Sequence, residues 1–158
     1  MSEFRVEKRR AEAELTLSSG GHLRGWFFLS GSSATHAGPE RVADLLNAES
    51  GFFPFEVPAG PSQDTVLINR PHLISARLLE ATTEAQLDPG YVVATERHVD
   101  MLLSNGARLS GSVRVYRPQG RDRLSDYARS TDVFRYVENA QGTFVVNSAH
   151  IVELREIH

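Results

Sequence analysis

The chain has no cysteine and only one lysine, Lys8, among its 158 residues. The lack of cysteine excludes disulfides, thiolate nucleophiles and cysteine-based zinc or iron–sulfur sites. Long apolar runs are also missing, and even the aromatic stretch at 26–29 is far too short for a transmembrane helix. Residues 1–10 are charged and lack the apolar segment of a secretory signal, so we expect a cytoplasmic protein that is not bound to a membrane.

A strong excess of charge of one sign is absent as well. Seventeen basic and twenty acidic residues give a net charge of −3, and neither half is basic enough to attract nucleic acid through a diffuse field. Residues 114–135 are an exception, because arginines outnumber carboxylates there and alternate with aromatic residues. This composition is typical of surfaces on which single-stranded bases or nucleotides stack. The candidate binding residues in this stretch are Arg114, Tyr116, Arg117, Arg121 and Arg123.

The same stretch also resembles part of a nucleotide-binding signature. Arg117 and Arg121 have the Arg-x-x-x-Arg spacing of PilZ barrels, which bind cyclic dinucleotides. The other half of that signature, Asp-x-Ser-x-x-Gly, is absent from the sequence. The alternative interpretation is a solvated arginine-rich loop beside aromatic residues of the core, because most charged clusters lie at the surface.

An internal repeat organises the sequence. The pattern Leu-Ser-x-Gly-x-x-Leu-x-Gly begins at Leu17 and again 86 residues later at Leu103. Three further matches follow in the same order: Arg41 with Arg123, Phe53 with Phe134, and Asn69 with Asn147. Because the length differences lie between the predicted elements, where loops tolerate insertions, we infer a duplication. The expected domains are residues 1–80 and 90–158, joined by a linker at 81–89.

Alternating apolar and polar residues predict that each copy is built of strands. Residues 13–18 and 99–104 alternate in this way, and a glycine turn that closes a hairpin follows each stretch. Each second strand contains a glycine, Gly25 or Gly111, which marks a bend or a close backbone approach. Three further strands are expected in each copy, at 52–57, 65–68 and 73–78 and at 133–137, 143–146 and 151–157.

One short helix is expected between the second and third strands of each copy. Pro39 suits the first position of a helix over 40–47, and Asp122 suits the N-cap of a helix over 123–130. The Arg-x-x-Asp spacing on this helix favours an exposed ion pair or a bond from the aspartate to the backbone. Together these elements predict a mainly β protein of two tandem five-stranded small barrels, each with a short helical insert.

The order of these motifs resembles the Sm-like small barrel, which has an SH3-like fold. Residues 15–25 and 101–111 resemble the first motif of that family, and residues 66–74 and 144–152 resemble the second. The Arg-x-x-Asp segment resembles the insert of a group of uncharacterised bacterial Sm-like proteins. The resemblance covers most of the chain twice and implies two tandem Sm-like barrels.

The resemblance also implies a ring-forming barrel whose inner loops bind single-stranded RNA. Classical members carry Asp-x-Asn between the second and third strands and Arg-Gly between the fourth and fifth. Here the helical insert replaces the first motif, and the last turns read Asn-Arg-Pro and Asn-Ser-Ala. The residues that lie near the second location are Asn69, Arg70 and Asn147.

His72 and His150 follow the repeated asparagines and have two interpretations. They could meet near a pseudo-twofold axis between the copies and share a metal ion or an anion. Alternatively, each asparagine takes a left-handed turn position and each histidine bonds a local carbonyl. We favour the structural interpretation, because two histidines without a spaced carboxylate are an incomplete ligand set for zinc. No metal and no cofactor are therefore expected.

The sequence offers no constellation for catalysis, so we predict that the protein is not an enzyme. It contains no nucleophile elbow, no phosphate-binding glycine loop and no histidine paired with a carboxylate at a spacing that suits proton transfer. The apolar stretches at 26–29 and 52–55 favour packing between the two copies or between chains. We predict a binding or assembly module that associates with itself or with another protein. The alternative is a protein that binds RNA or a cyclic dinucleotide through the arginines of the second copy.

Overall fold

The stretches of alternating residues are strands in the structure, a computed structural model that describes residues 8–31, 39–79, 91, 94–115, 124–129 and 132–158. Ten strands and two short α-helices confirm that the protein is mainly β. The first half contains β1 (Lys8–Leu17), β2 (His22–Ser30), α1 (Val42–Ala48), β3 (Phe52–Ala59), β4 (Ser62–Asn69) and β5 (Leu73–Leu78). The second half contains β6 (Thr95–Leu103), β7 (Arg108–Val115), α2 (Leu124–Ala128), β8 (Phe134–Asn139), β9 (Gly142–Asn147) and β10 (Ile151–Glu156). A 3₁₀ turn precedes the last strand of each half, at Arg70–His72 and at Ser148–His150.

The ten strands form one continuous antiparallel sheet. Their order is β10-β6-β7-β8-β9-β5-β1-β2-β3-β4, so each half has its own fifth, first, second, third and fourth strands side by side. The prediction of two tandem barrels did not include this connection: β5 pairs with β9 and unites the two halves in one open sheet through backbone hydrogen bonds. The predicted linker at 81–89 lies outside the described residues.

Glycines permit the tight hairpins and the close approach of neighbouring strands. Gly20 and Gly106 have φ values of 91° and 85°, as the glycine turns predict. At Gly25 an added Cβ would overlap the carbonyl oxygen of Glu56, and at Gly111 it would lie 2.5 Å from the carbonyl oxygen of Glu138. These contacts confirm the predicted close approach, between β2 and β3 and between β7 and β8.

The helical inserts are present in both halves, but their bounds differ from the prediction. Helix α1 has Arg41 as its N-cap, so Pro39 does not occupy the first helical position. The reason is that the Asp44 carboxylate accepts the backbone N–H of Arg41 at 2.9 Å and fixes the start of the helix there. Asp44 also binds the Arg41 guanidinium at 3.0 Å, and this pair is largely buried rather than exposed. The proposed N-cap of α2, Asp122, lies outside the described residues.

The buried apolar side chains form two cores, one for each half of the chain. Each core also includes at least one side chain from the opposite half. The first core contains the aromatic rings of Phe27, Phe53 and Phe55, which stack or meet edge to face. The second core lies around Met101 and Val113. Within the described part of the chain, no helix has the length and apolarity needed to cross a membrane.

Candidate interaction site

The joint between the halves is an antiparallel strand pair whose register is well defined. Ser75 faces Val146, Ala76 faces Val145, Arg77 faces Phe144, and Leu78 faces Thr143. We call this pair, with the side chains that cross it, the joint. It brings the fifth strand of one half against the fourth strand of the other.

Apolar side chains cross the joint in both directions. Ile74, from β5, lies in the core of the second half. Phe134 and Val145, from β8 and β9, lie in the core of the first half. Because each core is completed by the other half, the joint buries apolar surface as well as forming backbone hydrogen bonds.

Polar side chains also stabilise the joint, and Asn47 is one that the sequence did not predict. Asn47, on α1, donates to the carbonyl oxygen of Phe134 and accepts its backbone N–H, both at 2.9 Å. Asn47 has no counterpart in the repeated motifs, so only the placement of α1 beside β8 reveals its role. Tyr136 adds a further contact, because its hydroxyl oxygen accepts the backbone N–H of Ala43 at 3.4 Å.

Asn147, a predicted binding residue, is buried within the joint. Its side-chain nitrogen donates to the carbonyl oxygen of Leu73 at 3.0 Å, and its side-chain oxygen accepts the N–H of Ala149 at 2.9 Å. The predicted left-handed conformation of the repeated asparagines is wrong, since φ is −77° at Asn147 and −80° at Asn69. The side chain of Asn147 instead caps the 3₁₀ turn, which requires an extended backbone. This burial leaves Asn147 closed to a ligand.

His150 also bridges the two halves. Its Nε2 lies 2.6 Å from the carbonyl oxygen of Pro71, and its Nδ1 lies 2.6 Å from the hydroxyl of Ser104. A carbonyl oxygen only accepts, so in the neutral ring Nε2 carries the proton and Nδ1 accepts from the serine. His72 makes the equivalent serine contact, with Ser18 at 2.8 Å. The expectation of a local carbonyl partner is therefore wrong, because a serine and a distant carbonyl are the partners.

Arg70, another predicted binding residue, is buried beneath α1. Its guanidinium donates to the carbonyl oxygens of Leu46 at 3.1 Å, Leu45 at 3.0 Å and Phe52 at 2.8 Å. Burial lowers the pKa of Arg70, and the nearby Glu49 carboxylate opposes that shift. These bonds tie the C-terminal end of α1 to β3, so they give Arg70 a structural role and leave it closed to a ligand.

Of the candidate binding residues in the arginine-rich stretch, only Arg114 lies within the described residues. Arg114 forms an ion pair with Glu96 at 2.8 Å, and its guanidinium lies over the ring of Tyr91 at 4.2 Å. Its charge is therefore already paired within the second half. The other candidates, Tyr116, Arg117, Arg121 and Arg123, lie outside the described residues.

Near the two edges of the sheet, side chains are exposed whose repeat equivalents are buried at the joint. Strand β4 forms one edge and β10 forms the other, and in the described chain neither has a strand on its outer side. Leu67 on β4 and Val152 on β10 are each 65% exposed, and Phe52, on β3 next to β4, is 60% exposed. Their equivalents at the joint are Val145, Ile74 and Phe134, which are 0%, 1% and 4% exposed.

The strand register corrects one detail of the repeat. Phe52 faces Asn69 across β3 and β4, and Phe134 faces Asn147 across β8 and β9. Phe134 is therefore the equivalent of Phe52, and its predicted match with Phe53 is wrong by one residue. A shift of one residue moves a side chain to the other face of a strand, so the exposed Phe52 has its counterpart at the joint.

Comparison of the chain with protein-family models, curated proteins and solved structures finds no match. The candidate site therefore depends on the geometry of the chain itself. Among the described residues, no group of three or more histidine, aspartate and glutamate side chains is arranged to hold a metal ion. Two surfaces of the described chain, the sheet edges, remain open to interaction.

Proposed function

We propose that the protein is a non-enzymatic assembly module of two tandem Sm-like five-stranded barrels, each with a helical insert. In this proposal a duplication produced the two barrels, and they associate further through their outer strands. The same strand order in both halves supports the proposal. The position of both helices, between the second and third strands, also supports it.

Repeated turn contacts give the duplication further support. The N–H of Leu17 donates to the carbonyl of Gly21 at 2.9 Å, and the N–H of Leu103 donates to that of Ala107 at 2.8 Å. The serine that follows each leucine donates its N–H to a histidine carbonyl, His72 or His150, at 2.8 Å in both halves. Two unrelated halves have no reason to share these contacts, whereas two copies of one unit do.

The observation that carries the proposed association is the exposure of Leu67 and Val152 on the two edge strands and of Phe52 on the neighbouring β3. Unpaired strands with apolar side chains are templates for pairing with another chain. Burial of apolar area stabilises such a contact by about 25 cal/mol for each Å² removed from water. We therefore propose that copies of the chain associate, in a cytoplasmic setting that agrees with the absence of cysteine.

Light scattering over a series of protein concentrations tests the association. We expect masses that are multiples of 17.5 kDa and that change little between about 50 and 200 mM salt, because apolar contacts are not weakened by salt. A single-chain mass at every concentration would overturn the proposal. Leu67→Asp is the matched control, since it places a charge on the β4 edge without changing a buried residue, and it is expected to remain a single chain.

The alternative proposal is binding of RNA or a cyclic dinucleotide through the arginines of the second half. It depends on the local excess of arginine at 114–135. Arg114 is the one candidate arginine that lies within the described residues, and it is already paired with Glu96. Fluorescence anisotropy with short single-stranded RNA and with a cyclic dinucleotide tests it. Phosphate-led binding weakens steeply with salt, and a dissociation constant above about 10⁻⁴ M for both ligands would contradict it.

A further inference from the structure

Polar side chains lie together on the outer face of β6 and β7, which is the face that points away from the second core. Val99, on β6, and Val113, on β7, are buried in that core. Successive side chains of a strand point to opposite faces, so the residues next to these valines point outward. The strand register pairs the outward residues two by two: His98 with Ser112, and Glu96 with Arg114.

His98 meets a hydroxyl at one ring nitrogen and a carboxylate at the other. Its Nδ1 lies 3.2 Å from the hydroxyl oxygen of Ser112, and its Nε2 lies 3.2 Å from Oε1 of Glu96. An ionised carboxylate only accepts, so in the neutral ring Nε2 carries the proton and Nδ1 accepts from the serine. Nδ1 is therefore positioned to take the serine proton. The His98 side chain is 62% exposed, so a small molecule in solution reaches the pair.

Glu96, which orients His98, is itself held in place. The guanidinium of Arg114 binds Oε2 of Glu96 at 2.8 Å, which leaves Oε1 for the imidazole. The ring of Tyr91 lies 4.2 Å from the same guanidinium, and the Tyr91 hydroxyl donates to the Glu138 carboxylate at 3.0 Å. Glu96 is therefore a positioning residue, because it acts on the serine only through His98.

The other serine–histidine pairs of the described chain lack this carboxylate. Ser18 bonds His72 at 2.8 Å, and that imidazole forms no ion pair with a described carboxylate. Ser104 bonds His150 at 2.6 Å, and Nε2 of His150 meets a backbone carbonyl instead. A carboxylate stabilises the imidazolium that forms when a histidine takes a proton, and it fixes the tautomer beforehand. His98 is the one described histidine with a hydroxyl and a carboxylate at its two nitrogens.

The arrangement is confined to the second half. A shift of 86 residues places Trp26 at the position of Ser112. The same shift places Glu12 at the position of His98. The fold that the two halves share therefore does not require a serine–histidine pair on this face. The pair was not apparent from the sequence, because only the hairpin register brings together two residues that are 14 positions apart.

We propose that Ser112 is a nucleophile that takes an acyl group from an activated ester, with His98 as its base. The serine Oγ forms a bond to the acyl carbon, and the bond from that carbon to the leaving oxygen breaks. The serine proton moves to Nδ1 of His98 and then to solvent, while the leaving oxygen departs with the bonding electron pair. The acyl group stays on Ser112, so the product is a modified chain. This modification site is separate from the sheet edges and adds to the proposed assembly function.

Reaction of the full chain with p-nitrophenyl acetate, followed by peptide mapping with mass spectrometry, tests the proposal. A positioned base accelerates proton transfer by about 10²–10⁴-fold, and for this exposed pair we expect Ser112 to be acetylated at least about tenfold faster than Ser110. Ser110 is the matched comparison, because it lies on the same face of β7, is more exposed, and bonds the Asp100 carboxylate at 2.8 Å without an imidazole. Ser112→Ala should abolish the fast acetylation, and Ser110→Ala should leave it unchanged.

Substitutions of His98 and Glu96 distinguish a base and its positioning residue from groups with a merely structural role. His98→Gln retains a polar side chain without a base and should slow the acetylation of Ser112 to the rate of Ser110. Glu96→Ala should slow it by about tenfold or more, because the tautomer of the imidazole is no longer fixed. Glu96→Gln should recover part of that loss, since its amide oxygen still accepts the Nε2 proton. Thermal denaturation should be nearly unchanged in all three variants, because these side chains lie at the surface.

Three outcomes would overturn the proposal. The first is acetylation of Ser110 or Ser104 as fast as that of Ser112, because exposure alone would then set the reactivity. The second is a Ser112 rate that His98→Gln leaves unchanged, and the third is acetylation of Lys8 without any acetylated serine. Light scattering on the same samples reports the association separately, so a failure of the assembly and a failure of the acylation are distinguishable.

Discussion

The joint between the halves and the open edges of the sheet carry equivalent residues in opposite environments. At the joint, Phe134, Val145 and Ile74 are buried, whereas Leu67 and Val152 at the edges, and Phe52 on the strand next to β4, are mostly exposed. The side chains are apolar in both places, so the difference lies in what covers them. The comparison teaches that the same apolar positions are covered where the two halves meet and stay exposed where the described chain supplies no further strand.

The comparison also distinguishes contacts within the folded chain from contacts that would need a second copy. The joint has the Asn47 bonds to Phe134 in addition to strand pairing and apolar burial. It is part of the folded chain, so its loss costs stability at any concentration. In the proposed association the edges contribute only when a second copy is present, so substitutions there are expected to change association and to leave the stability of the dilute single chain nearly unchanged.

The largest contrast is expected between Phe134→Ala and Phe52→Ala. Phe134→Ala removes a ring from the first core and should lower the free energy of unfolding by about 3–5 kcal/mol. Phe52→Ala changes an exposed ring and should alter it by about 0.5 kcal/mol or less in dilute solution. Urea denaturation followed by circular dichroism measures both. Equal losses would contradict the proposed difference between the joint and the edges.

Ile74 and Val152 provide the same contrast on the fifth strands. Ile74→Ala should cost about 2–5 kcal/mol, because the side chain completes the second core. Val152→Ala should cost about 0.5 kcal/mol or less at low concentration and should raise the concentration at which multimers form. Denaturation and light scattering on the same samples check both effects. A Val152→Ala variant with unchanged association would count against the β10 edge.

Asn147 and Asn69 test the polar part of the comparison. Asn147→Ala removes a buried bond to the Leu73 carbonyl and a cap of the 3₁₀ turn, and should cost about 1–3 kcal/mol. Asn69→Ala removes no hydrogen bond that the described residues show, so it should leave the unfolding of dilute protein nearly unchanged. Urea denaturation at low and high protein concentration distinguishes the two. A large loss for Asn69→Ala in dilute protein would contradict this assignment.

The smallest contrast is expected between the two histidines. His150→Ala removes the bonds to Ser104 and to the Pro71 carbonyl and should cost about 1 kcal/mol. His72→Ala removes the serine bond alone, so its cost in dilute protein should be smaller. Thermal denaturation of both variants beside the unsubstituted chain measures the difference. A larger loss for His72→Ala would be inconsistent with the bridging role of His150.

Local patterns predict the strands well, because a strand and its hairpin turn are specified by nearby residues. The alternation at 13–18 and the glycines at 20 and 106 are examples, and the structure confirms both. The pairing of β5 with β9 is different, since no local pattern states which strand an edge will meet. The sequence therefore predicts the repeat but not the continuous sheet that unites its two copies.

The candidate site was harder to predict than the fold for the same reason. Arg70 and Asn147 occupy the turn that the Sm-like resemblance indicates, but their burial depends on α1 and on the joint. Asn47 lies on a helix with no motif around it, and its partner, Phe134, is 87 residues away in the chain. The match of Phe134 with Phe53 instead of Phe52 shows the same limit, because only the cross-strand register settles the face of a strand.

Hydrogen exchange measured at several protein concentrations tests the central difference between the joint and the edges most directly. Amides of β4 and β10 that are unpaired in the single chain should gain protection as the concentration rises, while those of β5 and β9 should stay equally protected throughout. Exchange of β4 and β10 at the same rate at every concentration, in a protein whose joint remains protected, would contradict the account.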